Sequence, residues 1–398
     1  MTEVLTGPEA AGMGAAGRQR RRLRVAWLGH ASTTIGDGLR TYSREGTAGL
    51  RERGVEVVFI HHEPSLADGE SSFALGAVVA FQRRVVISNV GSRPTIARLL
   101  REQAIDVVHL SVPFTTLDFR LPHLCRRLGL PLVATFHVPF ADGASFWGTL
   151  AAGLYRLYAP ALSRCDGVIV LGEKQRRLLA DLGVPADIMT VQPNGVDLDR
   201  YSPGPSDVAR RFGAERIFTY LGRVDPEKQV EALVRAFLEV SPPDSIRLLV
   251  VGSGADSARL RRRYRDDRVV FLGTVLDEME RIQILRGSDA FFLPSRVEAL
   301  SIAMLEAMAC GAAVVATDAG DDGAAVRGAG MVVDARRVNQ ELPGVIRRLI
   351  DSPQLCRRLG RLARRRVIER FSLAPNLDRL VGLYQRVSEA STDKAGSR

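Results

Sequence analysis

Lysine is almost missing from this chain. Three residues, Lys174, Lys228 and Lys394, stand against 52 arginines. Cysteine is sparse as well. Cys125, Cys165, Cys310 and Cys356 lie far apart and form no C-x-x-C pair, so they read as reduced thiols in a cytosolic protein. No apolar run approaches the roughly 20 residues that a spanning helix requires. A signal-peptide core is lacking too. The arginines Arg18, Arg20, Arg21, Arg22 and Arg24 follow the small-residue stretch, the reverse of the export order. No internal repeat occurs. The arginine run in 357–370 has no interleaved aromatics, which argues against nucleic acid as a partner.

What is present fits a globular α/β protein. A chain of 398 residues exceeds one ordinary core, so two domains are expected. Hydrophobic content of 46% with 25% charged residues is normal for a soluble fold. The formal net charge of +10 suits a polyanionic ligand or an anionic membrane surface.

Short apolar runs alternate with amphipathic segments, the pattern of parallel sheets with crossover helices. Strands are expected near 24–28, 55–60, 84–88, 106–111, 131–136 and 167–171, with helices near 39–53, 93–103, 117–128, 145–163 and 173–182. Turn formers from Gln192 through Pro205 mark a boundary. The pattern then restarts. Strands are expected near 216–221, 246–251, 268–272, 290–293, 313–316 and 331–333, with helices near 227–239, 256–264, 277–286, 300–309, 336–350, 353–370 and 373–389. The division that follows is a disordered tail over 1–22, Rossmann-like domains over 23–193 and 194–372, and a helix over 373–390 packing back on the first domain. Residues 391–398 read as a second disordered tail. Two doubly wound units imply a cleft between them, with ligands at the carboxyl ends of the strands.

Two stretches carry the chemistry. Gly222-Arg223-Val224-Asp225-Pro226-Glu227-Lys228 places two cations beside an expected helix start, with Asp225 as N-cap and Pro226 in the first turn. Unpaired N–H groups and the helix dipole there favour an anion. The bland alternative is a solvated loop with two surface cations. Glu298 and Glu306 lie eight positions apart, which would span about 12 Å at about 1.5 Å per residue if helical. Glu306 falls among Ile302, Ala303, Met304, Leu305, Ala307 and Met308, where a carboxylate requires a polar partner. An arginine pairing is the structural alternative. Gly36-Asp37-Gly38 opens the first helix and permits close backbone approach to phosphate.

All six histidines lie in the first 137 residues. His30, His109 and His137 fall at or near strand carboxyl ends facing the expected cleft, and each is otherwise a satisfied structural histidine. His61-His62-Glu63 is a poor metal site, because neighbouring strand residues point to opposite faces. The segment from Phe146 to Tyr158 has helical spacing and many aromatics beside Arg156 and Arg164. It reads as core packing, with contact to a membrane or lipid acceptor as the alternative.

Taken in order, Asp166 to Val170, Pro193-Asn194-Gly195-Val196-Asp197, Gly222-Arg223 with Lys228, and Glu298 to Glu306 resemble the retaining glycosyltransferases of family 4 (glycosyl transferases group 1), which have the GT-B fold. The resemblance implies two Rossmann-like domains facing across a cleft. It implies that Arg223 and Lys228 hold a donor diphosphate, that Glu298 contacts the transferred sugar, and that Glu306 binds ribose hydroxyls. It further implies base contacts at Thr274 and Val275, a sugar contact at His137, and phosphate contacts from Gly36, Asp37 and Gly38. Gly222, Ala299, Leu300 and Ser301 complete the expected donor site, with His137, Arg223, Lys228 and Glu298 as its catalytic group. Two departures stand out. Asp37 separates the first-loop glycines, and Gly320-Asp321-Asp322-Gly323-Ala324-Ala325 replaces a Gly-Gly-x-x-Glu loop near the sugar.

The implied function is transfer of a hexose from a UDP- or GDP-sugar to a hydroxyl acceptor, whether lipid, glycan or small metabolite. No cofactor and no metal are expected. The expected location is the cytoplasm, with peripheral contact at the inner face of the membrane as a further option. The alternatives are a non-catalytic nucleotide-sugar-binding protein of the same fold and a GT-B-like nucleotide-sugar epimerase.

Overall fold

The computed structural model describes residues 22–30, 38–62, 71–75, 77–81, 85–88, 92–113, 115–140 and 146–396. It has two lobes, each built on a parallel sheet.

In the first lobe β1 (Arg24–Leu28) leads into α1 (Gly38–Glu52) and β2 (Glu56–His61). Three short strands follow: β3 (Ser72–Ala74), β4 (Ala77–Phe81) and β5 (Val85–Ser88). Then come α2 (Ser92–Glu102), β6 (Val107–Val112), α3 (Leu121–Leu128), β7 (Leu132–Phe136), α4 (Phe146–Leu162), β8 (Gly167–Val170), α5 (Glu173–Asp181) and β9 (Met189–Val191). The sheet order is β3-β2-β1-β6-β7-β8-β9. Side chains alternate faces along each strand. Ala26 and Leu28 join a cluster with Ile96, Leu124, Tyr158 and Leu179 from α2 to α5. Val25 and Trp27 join Leu50 of α1 on the opposite face.

The second lobe starts with α6 (Val208–Arg211) and β10 (Arg216–Leu221). It continues through α7 (Val230–Glu239), β11 (Ile246–Val251), α8 (Ser257–Arg263), β12 (Val269–Gly273), α9 (Glu278–Arg286), β13 (Ser288–Leu293), α10 (Ile302–Cys310), β14 (Ala313–Thr317), α11 (Asp322–Val326) and β15 (Met331–Val333). The six strands run β12-β11-β10-β13-β14-β15. Their faces separate into two cores, one holding Ile217, Leu249, Phe291 and Val314 and the other Phe218, Leu248, Ala290 and Val315. Both faces are covered, so the strands read as continuous apolar runs. Helices α12 (Val338–Asp351), α13 (Pro353–Arg370) and α14 (Leu373–Gly396) close the chain. Leu377, Leu380, Leu383 and Tyr384 of α14 pack with Val25 and Trp27 of the first lobe.

Besides the short strands β3, β4 and β9, which were not expected, the structure departs from the sequence expectations in four places. The strand near 84–88 stands outside the main sheet and, among the described residues, pairs only with β4, antiparallel. The stretch 117–128 is a 3-10 turn over Thr116–Phe119, closed by a Thr115/Asp118 capping box, and then α3 with Pro122 in its first turn. The helix expected over 227–239 is broken. Pro226–Lys228 is a separate 3-10 turn, and Gln229 adopts a left-handed conformation at φ 50° before α7 begins. At the C-terminus α14 continues through Gly396, where a disordered tail was expected from residue 391. The tail expected over 1–22 lies almost wholly outside the described residues.

Two strands of chain cross between the lobes side by side. Val196 N donates to Phe371 O at 2.8 Å, and Leu373 N donates to Val196 O at 3.0 Å. The outgoing linker and the returning chain are thus zipped together, next to the cleft.

Candidate functional site

The cationic wall begins where β10 ends. Gly222 has φ 157°, and a Cβ at Gly252 would strike its carbonyl. Glycine at these two positions lets the loops after β10 and β11 touch through their backbones. The Tyr220 hydroxyl donates to Arg223 O at 2.5 Å and fixes the next turn. Lys228 then reaches across to the loop after β13. Its Nζ lies 2.5 Å from Glu298 Oε1 and 3.5 Å from Val297 O. Both side chains of this pair are nearly buried, at 13% and 14% exposure. Arg223 pairs with Asp225 and, at 3.2 Å, with Glu227.

Asp225 stands at the N-cap of the 3-10 turn, with Pro226 in its first turn as expected, but its side chain makes no capping hydrogen bond there. Its carboxylate pairs with Arg223 and accepts from Ala255 N at 2.9 Å. Because α7 starts beyond Gln229, its dipole is offset from residues 225–228. The positive charge beside this turn is therefore that of two side chains, Arg223 and Lys228, rather than of the α7 terminus.

The second wall is the loop from Glu298 to Ser301, which is tied down residue by residue. Phe140 N, from the first lobe, donates to Glu298 O at 3.1 Å. Asp321 N donates to Ala299 O at 2.8 Å. Asn194 Nδ2, from the linker, donates to Leu300 O at 2.7 Å. Ser301 N donates to Asp322 Oδ1 at 2.8 Å, and the Ser301 hydroxyl caps α10 by accepting from Met304 N. Gly320, at φ 59°, is required, since a Cβ there would meet the Glu298 and Ala299 carbonyls. The N–H groups of Ala299 and Leu300 donate to no atom among the described residues.

Glu306 lies on α10, but the helix starts only at Ile302. Half of the eight-residue interval is therefore loop, and helical rise does not set the distance between the two glutamates. Glu306 is buried without an ion-paired arginine among the described residues; the Tyr201 hydroxyl near it donates to Glu278 Oε1 at 3.3 Å. Desolvation raises its carboxyl to about 7, opposed by Tyr201 and by the Arg281 charge. Arg281 also donates to Val275 O at 3.2 Å and Leu276 O at 2.9 Å. The charge felt at Glu306 is thus held on the turn after β12. In that turn the Thr274 hydroxyl donates to Ser253 Oγ at 2.9 Å.

The wall from the first lobe is neutral and aromatic. His137 follows β7 and donates from its backbone to Val112 O at 2.8 Å. Its ring meets Tyr42 edge-on at 4.3 Å, and Nε2 is buried with no hydrogen-bond partner among the described residues. Burial pushes this imidazole down to about 3, so it is uncharged at neutral pH. Gly38 opens α1 close to Ile302 at the start of α10; a Cβ on it would stand 4.0 Å from Ile302 Cδ1. Gly36 and Asp37 lie outside the described residues.

His109 does not face the cleft. It is fully buried in β6, stacked on Trp27, and bonded to Thr135 Oγ1 at 3.2 Å and to the Tyr384 hydroxyl at 2.7 Å. It is a structural link to α14. His61 is likewise internal, with Nε2 3.0 Å from Ser72 Oγ. Among the described residues no group of three His, Cys, Asp or Glu could hold a metal. No helix there is long and apolar enough to cross a membrane.

The structure thus brings Lys228, Glu298, the 299–301 loop and Asp322 together, and links Glu306 to the turn containing Thr274 and Val275 only through the charge of Arg281. Phe140, Asn194, Arg281, Tyr42 and Asp322 were not singled out as site residues from sequence. Asn194 was visible only as a turn former, and Asp322 only as a departure from a family pattern. Phe140 gave no signal.

Comparison with known proteins gives a consistent picture. Residues 36–200 match the Glycosyltransferase Family 4 profile, and residues 215–352 match that of the Glycosyl transferases group 1. A D-inositol 3-phosphate glycosyltransferase from Rhodococcus opacus (strain B4) is 28% identical over 406 residues, covering 90% of this chain and 87% of that protein. A GDP-mannose-dependent alpha-mannosyltransferase from Mycolicibacterium smegmatis is 30% identical over 303 residues, covering 74% and 77%. Among solved structures, sucrose-phosphate synthase from Thermosynechococcus elongatus superposes with a TM-score of 0.74 at 20% identity, covering 93% of this chain and 100% of that one. Anabaena Alr3699/HepE, in complex with UDP and glucose, gives 0.69 at 17% identity, covering 94% and 100%.

Proposed function

The chain belongs to the family 4, group 1 glycosyltransferases, and from that premise we propose that it moves a hexose from a UDP- or GDP-sugar to a hydroxyl acceptor with retention at the anomeric carbon. The observation that carries this reading is the nearly buried Lys228–Glu298 pair beside Arg223. A buried ion pair is costly to desolvate and returns little stability over an apolar filling. Its retention at a cleft suits a function. A donor diphosphate would take Lys228 and Arg223 from their carboxylates. Glu298, released, would accept hydroxyls of the sugar.

The barrier lies in departure of the nucleoside diphosphate, which gathers negative charge. Lys228, Arg223 and the N–H groups of Ala299 and Leu300 supply fixed positive charge and dipoles for it. The bond from the anomeric carbon to the phosphate oxygen breaks, and the acceptor oxygen bonds on the same face. The acceptor proton goes to the departing phosphate, so no enzyme nucleophile is needed. Two cations on the diphosphate supply the charge a metal would otherwise bring, and the proposed reaction is metal-independent. Glu306 and the turn at Thr274 and Val275 would hold ribose and base. A relative named for GDP-mannose and a neighbour solved with UDP support the two candidate bases.

Acceptor binding falls to the first lobe. There α4 exposes Leu150 and Leu157 beside the exposed Arg156 and Arg164, a face suited to an anionic membrane at the cytoplasmic side.

The test is product analysis. UDP- and GDP-hexoses are incubated with the protein and a panel of lipid, glycan and metabolite acceptors, and the anomeric configuration of the product is read by NMR. Release of nucleoside diphosphate with a retained configuration is expected. Donor conversion without acceptor would mean an epimerase, and binding without release would mean a non-catalytic protein.

A further inference from the structure

Asp321 belongs to the loop after β14 in the second lobe, yet its side chain ends in the first. Only 8% of it is exposed. Its carboxylate accepts from the backbone N–H of Lys174 in the first turn of α5. That helix has Gly172 as its N-cap, with no side-chain cap of its own. A Cβ at Gly172 would collide with the Asp321 carboxylate, so the missing side chain makes room for a carboxylate from the other lobe. The first N–H groups of a helix need an outside acceptor, and a carboxylate suits them best.

The backbone of Asp321 faces the other way. Its N–H donates to Ala299 O at 2.8 Å, within the loop that carries Glu298. The same α5 turn reaches that loop by a second route. The Lys174 ammonium lies 4.9 Å from the Phe140 ring centre, and Phe140 N donates to Glu298 O. One residue therefore bonds the sugar-side loop through its backbone and the opposite lobe through its side chain. Asp321 Oδ2 has no partner among the described residues. Burial also pushes the carboxyl up to about 6. The seat thus holds the anion without saturating it, as suits a contact that must open to admit a ligand.

We propose that Asp321 is a positioning residue: it latches the 298–301 loop to the N-terminus of α5, so that closure of the lobes sets the register of Glu298. The link to catalysis rests on the proposed transferase reaction. The latch itself does not, and it is tested on the free protein.

The experiment compares wild type, Asp321→Ala, Asp321→Asn and Gly172→Ala by small-angle X-ray scattering, with kcat and donor KM measured alongside. Asp321→Ala and Gly172→Ala approach the contact from opposite lobes, so a folding failure in one leaves the other. Both should increase the radius of gyration while circular dichroism is unchanged, and Asp321→Asn, which keeps an acceptor oxygen, should restore the compact value. In turnover, Asp321→Ala should lower kcat by about tenfold or more, as loss of geometry at the reacting centre does. Its donor KM should stay within about twofold, the mark of lost positioning rather than lost binding. Wild-type compactness in both alanine variants would overturn the latch. Expansion with unchanged kcat would overturn its positioning role. If no donor is ever turned over, the transferase reading fails while the scattering still decides the latch.

Discussion

The two rims of the cleft are made of different material. The donor-lobe rim is ionic: Arg223, Asp225, Glu227, Lys228 and Glu298 pair with one another, and Glu306 sits buried behind them. The acceptor-lobe rim is neutral: His137 lies uncharged against Tyr42, and Phe140 offers a backbone N–H. The difference follows from where charge changes in the proposed reaction. A departing diphosphate needs fixed cations, and an attacking hydroxyl needs shape and a dry surface.

The sharpest way to break this contrast is to remove the donor-side ammonium. Lys228→Ala should lower kcat/KM by about 100- to 1,000-fold, the usual cost of one preorganised donor. Melting and circular dichroism should show an intact fold. Near-normal turnover would put the charge chemistry elsewhere.

A smaller effect is expected at Glu306. Burial lifts its carboxyl from the ordinary 4.5 to about 7. In the proposed site the deprotonated form would accept hydrogen bonds from ribose, so donor affinity should rise between pH 6 and pH 8. Glu306→Gln should bind donor about tenfold more weakly at pH 8, with this pH dependence gone. The linkage sign also fixes stability. A carboxyl raised on folding costs stability as pH climbs from its unfolded value through about 7. Glu306→Gln should therefore raise Tm at pH 8 more than at pH 5. Equal Tm changes at both pH values would contradict the burial account.

The smallest effect on activity separates two histidines of the acceptor lobe. His109→Leu leaves Tyr384 and Thr135 without their shared partner and should cost about 1–3 kcal/mol of stability in urea melts, with kcat nearly unchanged. His137→Ala should do the reverse, lowering kcat with little loss of stability. The same loss profile from both would erase the distinction between a wall of the site and a strut behind it.

Legibility from sequence followed the same divide. Long apolar runs bounded by turns located the main strands of both sheets, because strands buried on two faces have no polar alternation to blur them. Three-residue β3 and β9 left no such run. The cations and glutamates of the donor rim were visible because charged residues beside buried strands have few structural uses. Phe140 and Asn194 were invisible as site residues, since they act through a backbone N–H and a turn amide across a lobe boundary. The break at Gln229 was missed because Pro226 and an acidic N-cap candidate favour a helix start locally, and the Lys228–Glu298 contact across the loops accompanies a different turn. Asp321 and Asp322 registered only as departures from a pattern. Their partners at Lys174 and Ser301 are contacts between distant segments, which sequence spacing cannot supply.

Calorimetric titration of UDP and of GDP into wild type and Lys228→Ala tests the central claim most directly. The account predicts that at least one nucleoside diphosphate binds the wild type and that the variant binds it at least about tenfold more weakly, a loss of about 1.4 kcal/mol. Equal affinity in the two proteins would contradict a diphosphate held at Lys228.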